Sequence, residues 1–494
     1  MDISVAKPET LSRNGYESQL IDWILQEKAA IELISIIGNL WFEKSVELII
    51  FRNQLVDCSS SQILKLHLYA KNIVGQPITV HDSLLLAREL QKLDLVPSRI
   101  DIGRLGAEWL AEREQFKKNA KNFITGKLNN FTGKERSTIK PKDVVLFGFG
   151  RIGRLAARVL IAEAGKGEQL RLRAIVTRNN SDADIIKRAE LLRSDSIHGT
   201  FPGTVIEDLP NKSLIINGHT VKMIAAGAPG GIDYESHGIH DALVIDNTGI
   251  VRDRKGLSDH LTSKGVGKVL LTAPGKGDIP NIVYGVNQEK FEVKNERIFS
   301  AASCTTNAII PVLNVIDKTL GIVSGHMETI HSYTNDQNLL DNYHKKYRRG
   351  RSAPLNMVIT ETGAASAIAK ILPSLAGKFT ANAVRVPTPD VSLAMMHLNV
   401  SRTTSKEEVN QIMKDAALKG DLVEQIQYSY SNELVSSDLI GNPCAVVFDS
   451  PATIVGDSKK NLVLYCWYDN EFGYTKQVIR LSKYLAEVIR MRYY

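Results

Sequence analysis

The feature that most constrains this chain is a glycine triplet at the end of a short apolar run. Val144-Val145-Leu146-Phe147 leads straight into Gly148-Phe149-Gly150-Arg151-Ile152-Gly153-Arg154, and a helical pattern continues through Leu160. A continuous apolar run suits a strand buried on both faces. Glycine is needed at the three positions for different reasons. Gly148 allows a tight turn, Gly150 lets the backbone approach a pyrophosphate, and Gly153 lets the helix pack close against the strand. The start of the helix then offers unpaired N–H groups to the phosphates. Further runs of the same kind lie at Ala242–Ile245 and Val269–Thr272, and the next strand is read at Leu172–Val176. Together they predict a parallel sheet with crossover helices, a Rossmann-type dinucleotide-binding domain.

A carboxylate about 20 residues or more beyond the glycines normally meets the adenosine ribose in an NAD site. Here the stretch reads Thr177-Arg178-Asn179-Asn180-Ser181-Asp182. Asn180 is the candidate at the ribose position. It does not repel a 2′-phosphate, and Arg178 could pair with one. The cofactor is therefore NAD or NADP. The alternatives are that Asp182 or Asp184 reaches the ribose, or that Arg178 faces solvent.

The first part of the chain is different in character. Leu20, Ile24, Ile31, Ile34, Ile37 and Trp41 recur at helical intervals, as do Leu105, Trp109, Phe116, Ala120 and Phe123. Asp82 is a candidate cap for a helix carrying Leu84 to Leu95, with Pro97 as its stop. The expectation is an all-α N-terminal domain, closed by a polar linker over 132–141. Charged residues make up 23% of the chain and the net charge is +7, which is too weak and dispersed to argue for a specific nucleic-acid partner. The four cysteines, Cys58, Cys304, Cys444 and Cys466, fit neither a metal-ligand spacing nor a disulfide framework, so no metal is expected. Few cysteines suit a reducing compartment. The opening residues, Met1 to Glu9, have no signal pattern, and no apolar run is long enough for a membrane span. A cytoplasmic location is expected.

The chemistry is concentrated around Cys304. Ser303-Cys304-Thr305-Thr306-Asn307 sets one thiol among small hydroxylic residues at the start of a helical run. A helix N-terminus favours a thiolate. A thiol that attacks an aldehyde also needs a base and donors for the resulting oxygen. His331, in Glu328-Thr329-Ile330-His331-Ser332-Tyr333-Thr334-Asn335, is the candidate base.

From about residue 142 onward the chain resembles glyceraldehyde-3-phosphate dehydrogenase. The stretches that carry the resemblance are the glycine loop, Asp195–Gly199, Ser303–Asn307, His331–Gln337, Thr362–Ala365, Val384–Pro389 and Trp467–Tyr474, in the order of that family. The resemblance implies a phosphorylating oxidation of glyceraldehyde 3-phosphate to 1,3-bisphosphoglycerate, with NAD or NADP and inorganic phosphate. Cys304 would be the nucleophile and His331 the base. Thr334 and Arg385 would hold the substrate phosphate. Ser303, Thr305, Thr362 and Gly363 would hold the attacking phosphate, with Arg385 reaching both. Arg151 and Ile152 would contact the pyrophosphate through their backbone, Thr272 would be a further cofactor contact, and Asn470 would hold the nicotinamide carboxamide. The resemblance also implies a homo-oligomer, usually a tetramer, and a catalytic domain with a mostly antiparallel sheet in an α+β layer.

The chain departs from that family at Asn180, at Ile359-Thr360-Glu361 and in its N-terminal extension. The domains are expected at 1–141 (extension and linker), 142–303 (dinucleotide domain, completed by a C-terminal helix within 470–494) and 304–469 (catalytic). Two rivals share the motifs: an erythrose-4-phosphate dehydrogenase, and a regulatory or scaffold protein on the same fold.

Overall fold

The computed structural model describes residues 15–133 and 139–494. The opening residues, 1–9, and the centre of the linker reading, 134–138, lie outside the described residues. The chain divides into two units. One is built from Pro141–Glu163 and Leu170–Glu487, the other from the described residues up to Lys140 together with Ala164–Gln169 and Val488–Tyr494.

Among the described residues the larger unit holds two eight-stranded sheets and a two-stranded one, Ser194–Asp195 with Gly199–Thr200. In the first, the order is Ile298–Ser300, Val266–Leu271, Ala242–Asp246, Lys142–Phe147, Leu170–Thr177, His219–Ala225, Ser213–Ile216, Val205–Asp208. It is parallel as far as His219–Ala225 and antiparallel thereafter. The strand that precedes the glycine loop is central, and its Val144, Val145 and Leu146 are fully buried. That is why it reads as an uninterrupted apolar run. The helix Arg151–Ala162 follows it and packs against Phe472–Leu485.

The second sheet runs Val358–Thr360, Phe379–Val386, Ile322–Ser332, Ser392–Val400, Asn461–Tyr468, Val446–Asp449, Ile426–Ser429, with Ile454–Val455 beside Asn461–Tyr468. It is antiparallel except where Phe379–Val386 joins Ile322–Ser332 and where Ile426–Ser429 joins Val446–Asp449. The helix Cys304–Leu320 lies on this sheet. Its Ile309, Val312, Leu313, Ile316 and Leu320 share one core with Met327, Met396, Leu398, Leu464 and Cys466. Gly321, at φ +70°, caps the helix, and the chain doubles straight back into Ile322–Ser332. The helix is roughly 25 Å long, and Ile322 to His331 spans about 30 Å of strand. This hairpin of helix and strand therefore returns the end of the strand to the start of the helix. His331 lies in the same alternating row as Met327 and Thr329, all buried, so it faces the N-terminus of the helix.

The smaller unit is not all-α, which corrects the expectation from sequence. Beside the helices Tyr16–Lys44, Ser60–Val74, Val80–Lys92, Ile102–Glu112 and Ala120–Lys127 it contains a four-stranded sheet. The order is Asn53–Gln54, Val46–Ile50, Ser98–Asp101, Met491–Tyr493. Val46–Ile50 is buried at every position, and a short run without alternation cannot be told from buried helix by its period. The fourth strand comes from the far end of the chain, which no local pattern could reveal. The C-terminal helix stops at Leu485, and Glu487 at φ +56° turns the chain out of it.

The two helical stripes are also resolved differently from the sequence reading. In Tyr16–Lys44 the buried residues are Ala29, Ala30, Leu33, Ile36, Ile37, Leu40 and Trp41, whereas Leu20, Ile24 and Ile31 are exposed. The stripe from Leu105 to Phe123 is split over two helices by Lys117 and Lys118, both at positive φ. Thr79, not Asp82, is the N-cap of Val80–Lys92. Asp82 sits three residues in and accepts the Thr79 N–H, completing a reciprocal capping box.

Candidate active site

The glycine loop has the geometry its sequence implies. Gly148 sits at φ +94°, a conformation that strains any other residue. A Cβ at Gly153 would lie 2.4 Å from the backbone oxygen of Gly148, so helix and strand are in contact through that glycine. Beside Gly150 the space is open: a Cβ there would meet nothing within 4 Å. Gly150 is also the N-cap of Arg151–Ala162, with no side chain bonding the first N–H groups. Open space in front of free helix donors fits a dinucleotide pyrophosphate. The Arg151 guanidinium points elsewhere, to Glu471 at 2.6 Å and Asp195 at 2.9 Å.

At the ribose end, Asn180 Nδ2 donates to the Met223 carbonyl at 3.0 Å. Asp182 is paired with Lys212 and Asp184 with Arg188, each at 2.6 Å. Both carboxylates proposed as alternatives at the ribose are thus engaged in ion pairs. Arg178 is exposed. Thr272 follows the strand Val266–Leu271 and bonds the Asp246 carbonyl through both its amide and its hydroxyl, at 3.0 Å each. Asn470 lies just past Asn461–Tyr468, and its Oδ1 accepts from Ser392 Oγ at 2.7 Å.

Cys304 is the first residue of its helix. Ser303 is the N-cap, with its Oγ accepting from the Thr306 N–H at 3.0 Å. Ala302, just before, is held at φ +56°, a cost a non-glycine residue meets only where the surroundings enforce it. Its carbonyl accepts from the buried Tyr474 hydroxyl at 2.9 Å. Cys304 Sγ stands 3.6 Å from His331 Nε2. Arg385 is the direct cross-strand neighbour of His331. Its Nη1 lies 2.5 Å from His331 Nδ1 and 2.8 Å from the Ser332 carbonyl, which is itself 2.7 Å from Nδ1. With its proton on Nδ1, the imidazole donates to the carbonyl and turns a bare Nε2 toward the thiol. With its proton on Nε2, it accepts from Arg385 and offers an N–H to a thiolate or oxyanion. The two partners of Nδ1 accommodate both states.

Burial pushes the Cys304 thiol up, against the Arg385 charge and bonds from Thr305, which pull it down. This burial opposes the pull of the helix terminus on the thiol. Removal of the sulfur from water is the larger effect. Burial, and then Arg385, drive His331 down to about 3.

The remaining predicted residues divide. The Thr305 hydroxyl turns inward to Tyr468 at 2.9 Å, and the Tyr468 hydroxyl also meets Thr329 at 2.7 Å. Thr334 bonds Asp336, and Asp336 in turn pairs with Arg349. Thr362 lies on an open cleft of about 800 Å³ with Lys345, Lys346, Arg348, Arg349 and Thr360. Gly363 next to it caps Ala364–Ile371 without a side-chain bond. Among the described residues, no hydrogen bond joins Thr362 or Gly363 to the Cys304–His331–Arg385 cluster. Arg349 connects the two regions: it bonds Thr360 at 3.0 Å, and its charge acts on both His331 and Arg385. The sequence reading missed Arg349, and the only signal for it was the basic run from Lys345 to Arg351. Tyr468, Tyr474 and Ser392 were missed as well, because they act through tertiary bonds.

Residues 142–254 match the family described as glyceraldehyde 3-phosphate dehydrogenase, NAD binding domain. Residues 303–470 match its counterpart, glyceraldehyde 3-phosphate dehydrogenase, C-terminal domain. A protein of Pseudomonas aeruginosa named glyceraldehyde-3-phosphate dehydrogenase-like protein is 46% identical over 459 residues, 92% of this chain and 98% of that protein. An alignment that long reaches into the N-terminal unit. The glyceraldehyde-3-phosphate dehydrogenase of Zymomonas mobilis is 39% identical over 70% of this chain and 99% of its own length. The chloroplastic enzyme A of Zea mays is 38% identical over 74% of this chain and 88% of its own.

Proposed function

Because the chain belongs to the glyceraldehyde-3-phosphate dehydrogenase family, and is an NAD(P)-dependent oxidoreductase, we propose that it converts glyceraldehyde 3-phosphate and inorganic phosphate to 1,3-bisphosphoglycerate through a thioester on Cys304. The observation that carries this reading is the 3.6 Å approach of Cys304 Sγ to His331 Nε2, with Arg385 behind the imidazole.

Cys304 Sγ forms a bond to the aldehyde carbon. Its proton passes by way of His331 Nε2 to the former carbonyl oxygen, giving a hemithioacetal. His331 then takes the proton of that hydroxyl as a hydride leaves the carbon, and the C–O bond becomes the carbonyl of a thioester. Nicotinamide held by Asn470 would supply the acceptor for the hydride. Gly148, Gly150, Arg151, Ile152 and Gly153 would hold the pyrophosphate through their backbone, with Thr272 a further contact. A phosphate oxygen next bonds to the thioester carbon. The C–S bond breaks, Cys304 recovers its proton from His331, and the acyl phosphate departs.

In this reading the substrate phosphate pairs with Arg385 and Thr334. An anion on Arg385 offsets the charge that holds His331 down, so binding substrate makes the imidazole a better base. The attacking phosphate is met by Ser303, Thr362 and Gly363, by the amide of Thr305 rather than its hydroxyl, and by Arg349 from the basic cleft. Arg178, with Asn180 in place of a carboxylate, lets the ribose end take the 2′-phosphate of NADP as well as NAD. The reading includes a homotetramer and a cytoplasmic location. Four free cysteines suit a reducing compartment, and no described helix is long and apolar enough to cross a membrane.

The test is initial-rate kinetics of NAD(P)H formation with phosphate varied. A rate with glyceraldehyde 3-phosphate that requires phosphate supports the reading. Turnover of erythrose 4-phosphate that ignores phosphate favours the hydrolysing sister enzyme. No turnover with either cofactor favours a scaffold.

A further inference from the structure

Asn470 is 7% exposed, and Ser392 is 1% exposed. Two bonds meet at the Ser392 hydroxyl: it accepts from the Ser332 backbone N–H at 3.2 Å and donates to Asn470 Oδ1 at 2.7 Å. A serine hydroxyl has a single proton. Because the Ser332 amide can only donate, that proton is free to go to Asn470, and the carbonyl end of the Asn470 side chain faces it. With the amide turned over, two donors would converge on the hydroxyl and its own proton would lack this acceptor. Among the described residues no bond takes Asn470 Nδ2, so that amide group is left available.

The same hydroxyl joins two parts of the site. Ser392 begins the strand that pairs on one side with Ile322–Ser332 and on the other with Asn461–Tyr468. Ser332 is adjacent to His331, and its carbonyl is the group that holds His331 Nδ1 and Arg385 Nη1. One oxygen thus ties the strand end that carries the imidazole to the residue that carries the free amide.

We propose that Ser392 is a positioning residue for the cofactor: it orients Asn470 so that Nδ2 donates to the carboxamide oxygen of nicotinamide. This rests on the assignment of Asn470 to the nicotinamide. The site then demands a strong acceptor at the 3-substituent of the pyridine ring. A 3-acetylpyridine analogue keeps that acceptor, and a thionicotinamide analogue replaces it with a poor one.

The experiment is equilibrium binding of the dinucleotide and its two analogues to the full chain, followed by protein fluorescence without substrate. It therefore does not depend on turnover of any aldehyde. The variants are Ser392→Ala, Ser392→Thr, Asn470→Ala and the double variant Ser392→Ala/Asn470→Ala. Wild type should bind the thionicotinamide analogue about fivefold to tenfold more weakly than the acetylpyridine analogue, the worth of one neutral hydrogen bond. Ser392→Ala should erase that preference and weaken the native cofactor by a similar factor. Ser392→Thr, which keeps the hydroxyl, should retain the preference. In the Asn470→Ala background, Ser392→Ala should add nothing further. Additive losses in the double variant, or an equal loss for all three ligands, would mean that Ser392 is only structural. Should Ser392→Ala fail to fold, the wild-type comparison still decides: equal affinity for the two analogues overturns the proposal.

Discussion

Replacing His331 with Asn removes the imidazole that faces Cys304 and keeps a polar side chain of moderate size in the pocket. In the wild type the proton passes between Sγ and an Nε2 3.6 Å apart, on an imidazole held down to about 3 by burial and Arg385. Wild-type activity should therefore show no acid limb from His331 near neutrality. Without His331, the thiol must lose its proton to bulk water. Burial pushes that thiol above its ordinary value of 9.0, so its thiolate is a minor species at pH 7. The hydride step loses its base as well. General acid–base catalysis contributes about 10²- to 10⁴-fold, and we expect the variant to lose about 10³-fold in kcat at pH 7, or about 4 kcal/mol. The assay is the initial rate with saturating glyceraldehyde 3-phosphate, cofactor and phosphate from pH 6 to 10. Alkylation of Cys304 by iodoacetamide is followed in parallel. Both rates in the variant should climb close to tenfold per pH unit. A loss smaller than tenfold, or a pH profile parallel to that of the wild type, would refute the assignment of His331.

Three further outcomes follow from the same geometry. Gly153→Ala places a Cβ against the Gly148 oxygen, so helix and strand must separate; thermal unfolding should show a loss of about 1–3 kcal/mol, and titration a more than tenfold weaker cofactor. Arg178→Ala should lower kcat/KM for NADP about tenfold while leaving NAD unchanged, since a charged bond to the 2′-phosphate is worth about 1.5 kcal/mol or more; equal losses for both cofactors would contradict the ribose reading. Asp390 is buried with its Oδ2 3.6 Å from His198 Nε2, and burial beside Asp469 and Glu471 pushes its carboxyl up to about 9. Such a group holds its proton in the folded chain and loses it in the unfolded one, so stability falls as pH rises from the ordinary value of 3.8 toward 9. Asp390→Asn should raise Tm at pH 8 by a few degrees and flatten that fall, and a variant with an unchanged slope would contradict the account.

What could be read in the sequence was whatever is fixed by short-range backbone rules or by a dense local pattern. The glycine loop is of this kind, because a turn at positive φ and a helix touching a strand leave no residue but glycine at Gly148 and Gly153. Cys304 and His331 were legible as residue types, and the helix–strand hairpin that joins them follows from Gly321. The sheet of the N-terminal unit was not legible. One of its strands is an unalternating run, and another comes from the opposite end of the chain. The polar interior was equally hidden: Tyr468, Tyr474 and Ser392 look like ordinary strand or helix residues until tertiary bonds reveal their partners.

The central claim is that Cys304 carries the acyl group between oxidation and phosphate attack. Mixing enzyme, glyceraldehyde 3-phosphate and oxidised cofactor in the absence of phosphate should give one rapid equivalent of reduced cofactor per active site. Intact mass and peptide mapping should then find a phosphoglyceroyl group on Cys304, and adding phosphate should release it and restart turnover. Cys304→Ser should give neither burst nor adduct. A burst with the adduct elsewhere, or steady turnover without phosphate and with no adduct on Cys304, would contradict the account.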